Sequence, residues 1–131
     1  MTKCIVALLA LMIVAGTGSL SVAEQDNVTC ALNSSYDCYP GEGCEEWSID
    51  GMALPRFVNI DFKNKTITSL DKEIKRNSKI ASVERLEHMV VLHGTELRGW
   101  TIAYGEDTGN LTLSASGDGE GFVVFGTCME K

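Results

Sequence analysis

The chain has 131 residues, 44% of them hydrophobic, with 18 acidic side chains against 11 basic ones and a net charge of −7 at neutral pH. A surface that acidic repels phosphate backbones and anionic lipid, which argues against a nucleic-acid partner and favours encounter with a basic protein. The length fits one modest domain rather than several.

Lys3 is the only early charge, residues 5–14 form an unbroken apolar run, and Ser21-Val22-Ala23 places small residues where a leader would be cut. These features predict a secretory signal peptide over 1–23 and a single domain over 24–131. The apolar run is far short of the roughly 20 residues a membrane-spanning helix needs, so no membrane insertion is expected after cleavage. Without Lys3 the mature chain carries a net charge of −8.

Of five cysteines, Cys4 would leave with the leader, and Cys30, Cys38, Cys44 and Cys128 remain. An even set in an oxidising compartment, periplasmic or extracellular, reads as two disulfides. Three pairings are open. The expected one closes the YPGEG turn with Cys38–Cys44 and ties the two ends of the domain with Cys30–Cys128.

Along the mature chain, 24–33 is polar and reads as frayed until Cys30 pins it. Residues 33–43 are dense in turn formers, and Pro40-Gly41 is a turn with a mechanism, proline presetting φ and glycine accepting the positive value. Residues 45–50 suit a short strand with Trp47 and Ile49 on one side. In 57–62, Val58, Ile60 and Phe62 alternate with Asn59 and Asp61, and a turn at 63–65 leads into 66–68 to complete a hairpin. Residues 71–79 hold only Ile74 as an apolar side chain and read as an exposed loop or a short edge strand, with a single helical turn as the other option. Residues 80–85 and 87–93 look like another pair, closed by Gly94.

The stretch 99–128 reads most clearly: three antiparallel strands separated by GEDTGN and GDGEG. Trp100, Ile102 and Tyr104 alternate in the first, and Leu111, Leu113 and Ala115 in the second. Phe122 to Phe125 is apolar on both faces, as a central strand is. The whole is an all-β fold, a small antiparallel β-barrel or sandwich of seven to eight short strands stapled by disulfides.

No catalytic constellation emerges. Ser114 and Ser116 lack a local nucleophile signature, and the paired carboxylates arise naturally in so acidic a chain. His88 and His93, five apart in a strand, project to opposite faces and cannot share an ion. Met89 and His93 share a face and could form a soft copper site with Met129 or Cys128, provided the thiol were free. Gly117 to Gly121 lacks the helix and lysine of a phosphate cradle, and Asp118 and Glu120, even with Asp107, fall short of a calcium shell. The expectation is therefore a non-enzyme without metal or cofactor. Trp47, Trp100, Tyr104, Phe122 and Phe125 are expected to fill the core, or to line a pocket if the barrel is open. Asn27, Asn33, Asn64 and Asn110 begin formal glycosylation sequons that read here as turn chemistry.

Ser114-Ala115-Ser116-Gly117, followed by Phe122, resembles the Ser-Gly-x-x-Tyr loop of periplasmic inhibitors of chicken-type lysozyme. Those are small secreted, disulfide-tied β-barrels whose loop enters the lysozyme cleft. Here four residues rather than two precede the aromatic, which is Phe rather than Tyr. The resemblance implies inhibition of a basic hydrolase. The expected function is thus an exported, monomeric, non-enzymatic binding protein contacting its partner through Trp100, Glu106, Asp107, Ser116, Gly117, Asp118 and Glu120. The alternative is a small-ligand or metal carrier.

Overall fold

The computed structural model describes Gly18 and residues 25–130, so the expected signal peptide lies, Gly18 apart, outside the described residues. Ten strands and no helix are found there. They are β1 (Asn27–Tyr39), β2 (Gly43–Trp47), β3 (Phe57–Asp61), β4 (Thr66–Ser69), β5 (Asn77–Lys79), β6 (Ser82–Arg85), β7 (Met89–Gly94), β8 (Gly99–Gly105), β9 (Asn110–Ser116) and β10 (Gly121–Glu130). All pair antiparallel in one sheet of order β5-β4-β3-β1-β10-β9-β8-β7-β6, with β2 added to the far half of β1.

The curvature follows from the connectivity. The two outermost strands of that path, β5 and β6, are neighbours in sequence, joined only by Ile80 and Ala81. Successive Cα atoms are about 3.8 Å apart, so Lys79 and Ser82 lie within roughly 11 Å of one another. The sheet must therefore curl until β5 and β6 come near one another without pairing, giving a half-barrel. The Ile80 amide bonds the Lys65 carbonyl at 3.0 Å and the Ala81 amide bonds that of His93 at 2.7 Å, which fastens the seam to both sides.

The concave face holds the core. Val28 and Cys30 of β1, Val58 and Ile60 of β3, Val90 and Leu92 of β7, Ile102 and Tyr104 of β8, Leu111 of β9 and Cys128 of β10 are all buried. Where a strand contributes two of these, they are two apart, the period of a strand with one face wet. Tyr104 stacks with Phe62 at 6.1 Å between ring centroids.

One irregularity decides what else faces inward. Leu32 pairs with Gly126 and Ser34 with Phe125, so Asn33 is an extra residue, a β-bulge in β1. A bulge resets the alternation. Val28 and Cys30 point inward before it, and Ser35 and Asp37 after it, all four buried. Ser35 Oγ donates to the Trp47 carbonyl at 2.7 Å. At the bulge the backbones run close, and a Cβ added to Gly126 would lie 2.4 Å from the Ala31 carbonyl oxygen.

Two expectations are corrected here. The segment read as a frayed lead-in followed by turns is the longest strand of the sheet, 13 residues paired on both sides, and the turn begins only after Tyr39. Pairing with β10, β2 and β3 satisfies its backbone, which outweighs the poor strand propensity of Asn, Ser and Asp. The ten strands exceed the expected seven to eight, since β1 adds one where turns were expected and the three-residue β5 takes up the edge-strand reading of 71–79; the strand expected over 45–50 is β2.

Both disulfides pair as expected. Cys30 faces Cys128 directly across β1 and β10, and Cys38 faces Cys44 across the β1–β2 hairpin. Such bonds persist in oxidising compartments. No helix among the described residues is long and apolar enough to cross a membrane.

Candidate functional site

Curling a sheet without closing it leaves a hollow on its concave side. Here the hollow is a cavity of about 490 Å³, within the range of small-molecule sites. Alternate residues of three neighbouring strands form its floor and wall: Trp100 and Ile102 of β8, Leu111, Leu113 and Ala115 of β9, Phe122 and Val124 of β10. Ile102, Leu111 and Val124 are buried, whereas Trp100, Leu113 and Phe122 are half-buried, so the strands run from a closed floor to an open mouth. Trp47 at the end of β2, with Met52, Leu54 and Pro55 from the loop after it, forms the facing wall.

Trp100 owes its place to a glycine. Gly94 lies opposite it in register, and a Cβ there would come 2.0 Å from the indole Cζ2, so the ring fills the room that a side chain at 94 would take. Leu97, in the loop between β7 and β8, has a positive φ of 62° and stands 86% exposed at the mouth. An L-residue with a branched side chain rarely adopts that conformation.

The polar groups gather at the mouth. Arg98 Nη1 donates to Glu120 Oε1 at 2.8 Å while its guanidinium sits 4.4 Å from the centre of the Phe122 ring. The Tyr39 hydroxyl donates to Glu120 Oε2 at 3.2 Å. Arg76 Nε lies 4.0 Å from Glu96 Oε1. Two carboxylate oxygens facing the same cavity, Asp37 Oδ1 and Glu96 Oε2, are buried without a hydrogen-bond partner.

This crowd of carboxylates marks the Tyr39 phenol, which is pushed up to about 12, first by Asp37, then by desolvation and by Glu120. The folded state holds that proton more tightly than the unfolded chain does. Its contribution to stability is complete below about pH 10 and is lost as pH rises toward the folded value. Asp37→Asn is expected to bring Tyr39 down toward 10 in a spectrophotometric alkaline titration. A phenolate curve identical to that of the parent would show that Asp37 does not act on it. Tyr104 is also raised, chiefly by burial and secondarily by Glu130 and Glu106.

The residues expected to form one contact surface are divided. Ser116 pairs with both Gly99 and Gly121, and Gly117, Asp118 and Glu120 come after it at the cavity mouth, the end of the sheet where Trp100 lies. Glu106 and Asp107 lie at the opposite end of β9, a seven-residue strand that spans about 20 Å. There Asp107 Oδ2 meets His88 Nδ1 at 2.8 Å, and Glu106 lies 3.9 Å from Arg85. Consecutive hairpin turns necessarily fall at opposite ends of the strand they share.

Among the aromatic candidates, Trp47, Trp100 and Phe122 line the cavity, Tyr104 belongs to the core, and Phe125 faces outward against Tyr36. His93 Nδ1 contacts Thr101 Oγ1 at 3.1 Å on β7, three strands from the exposed Met129 of β10, and Cys128 is in a disulfide. Among the described residues no three His, Cys, Asp or Glu side chains converge as a metal-binding group. Sequence reasoning missed Asp37, Glu96 and Arg98. Asp37 was hidden in a turn-rich string, and only the bulge at Asn33 turns it inward. Set against protein families, curated proteins and solved structures, the chain matches none.

Proposed function

We propose that this protein is an exported, non-enzymatic binding protein of the periplasm or the extracellular space, and that its half-barrel holds a small, mainly apolar ligand. The cavity carries the reading: a mainly apolar hollow lined by two tryptophans, with a few polar side chains among its walls. That combination of apolar body and sparse polar anchors is what ligand sites share. The observations favour the cavity over the 117–121 turn as the working surface. In that turn the Gly117 amide is tied to the Glu120 carbonyl at 2.9 Å, and the Glu120 carboxylate is occupied by Arg98 and Tyr39.

Both tryptophans of the chain line the cavity, so its occupancy can be followed by intrinsic fluorescence. Titration with n-decanol is expected to change tryptophan emission saturably. Ala115→Phe, which places a ring in the hollow, is expected to weaken that response at least tenfold, with the far-ultraviolet circular dichroism unchanged. A response that never saturates, or one indifferent to Phe at 115, would dismiss the proposal.

A further inference from the structure

Asp37 is 91% buried, lines the cavity, and leaves Oδ1 without a hydrogen-bond donor. Buried polar atoms are nearly always satisfied, and a buried carboxylate oxygen without a donor costs free energy that a ligand can recover by bringing one. No ion pair among the described residues includes Asp37: Arg98 is engaged by Glu120, and Arg76 faces Glu96. Tyr39, its neighbour two residues along β1, hydrogen-bonds the Asp37 carboxylate but is neutral at physiological pH and supplies no charge. Glu96 Oε2 is a second acceptor in the same cavity without a donor. Carboxylates at the cavity and its mouth (Asp37, Glu96, Glu120) therefore outnumber cations (Arg76, Arg98), and both cations already face acids. An anionic head would meet more repulsion than attraction. A protonated amine would meet an acceptor atom that lacks a partner, in a cavity that Trp47 and Trp100 also line, and indole rings attract cations.

Resting on the cavity reading above, we infer that the ligand is an amphipathic amine, its apolar body in the hollow and its ammonium head on Asp37, with Glu96 as the second acceptor. The head forms a charge-assisted hydrogen bond to Oδ1, and the aliphatic or aromatic body covers Leu113, Phe122 and the tryptophans. The net negative charge of the chain adds to the attraction at long range.

The test compares n-decylamine, n-decanol and decanoate on the disulfide-intact protein at pH 7, below their micellar concentrations, by tryptophan fluorescence and calorimetry. Decylamine is expected to bind at least tenfold more tightly than decanol, and decanoate more weakly than either. In Asp37→Asn the amine's advantage falls to within about twofold of the alcohol, whose own affinity is retained. Glu84→Gln removes the same charge from exposed β6, away from the cavity, and keeps the advantage. Equal binding of amine and alcohol, or tightest binding of decanoate, overturns the amine inference while the cavity reading stands. Failure of all three probes overturns the cavity reading itself. The three-probe ranking on the unaltered protein decides the matter even if Asn at 37 prevents folding.

Discussion

Replacing Cys30 and Cys128 together by alanine is expected to lower stability by about 4–5 kcal/mol, and replacing Cys38 and Cys44 by only about 2 kcal/mol. The difference lies in the loops closed: 98 residues of sequence separation against 6. In the unfolded chain the long-range bond removes far more conformational freedom, and the loss grows with the logarithm of loop length. Burial adds to it, since Cys30 is fully enclosed in the core and two alanines leave a void there. Domains of this size hold about 5–15 kcal/mol in all, so the first variant should approach the edge of folding while the second remains native. Urea unfolding of the two double variants checks this. Equal losses would show that loop length is not what sets the worth of these bonds.

Gly126→Ala is expected to cost about 1–3 kcal/mol, the usual range for forcing an atom into a packed interior. Its Cβ would sit 2.4 Å from the Ala31 carbonyl oxygen and 3.4 Å from the Leu32 Cα, backbone atoms that cannot swing aside as a side-chain tip can. Relief requires β1 and β10 to separate at the bulge. That movement would carry Ser35 and Asp37 with it and so loosen the cavity's acceptor. Gly99→Ala is the control: it too lies in a strand, its Cβ would meet nothing within 4 Å, and its φ is not positive. There the smaller entropy of the unfolded chain makes the change neutral or stabilising by up to about 1 kcal/mol. Opposite signs at the two glycines, read from urea midpoints at unchanged slope, are the expected result. Like behaviour at both would mean that the close approach at 126 relaxes freely.

Legibility in the sequence followed the strictness of alternation. β8, β9 and β10 could be read from Trp100, Ile102, Leu111 and Leu113, and the β3–β4 hairpin from Val58 and Ile60, because one wet face imposes period two on such strands. The sequence left three cysteine pairings open, and the turn between Cys38 and Cys44 only favoured the one that the structure contains. β1 escaped for a physical reason: Asn33 breaks the period, and Asn, Ser and Asp lie where a strand reader looks for β-branched residues. Its strand character comes from pairing with β10 and β3, which lie outside any local window, as well as with the nearby β2. The site inherited that blindness. Trp47, Trp100 and Phe122 were visible as large apolar side chains, but Asp37 becomes a cavity group only through the bulge. Glu96 and Arg98 become cavity groups only through the folding of a short loop against the β9–β10 hairpin.

The pairing of β1 with β10 also sets the order of events during folding. The first strand made is completed by the last, and it cannot wait on a nearer substitute because its other neighbours cover only half of it each. A chain whose spine joins its extremities has high contact order, and such chains fold on the slow side, in milliseconds to seconds. The sheet is therefore complete only when its final ten-residue strand has docked against the first.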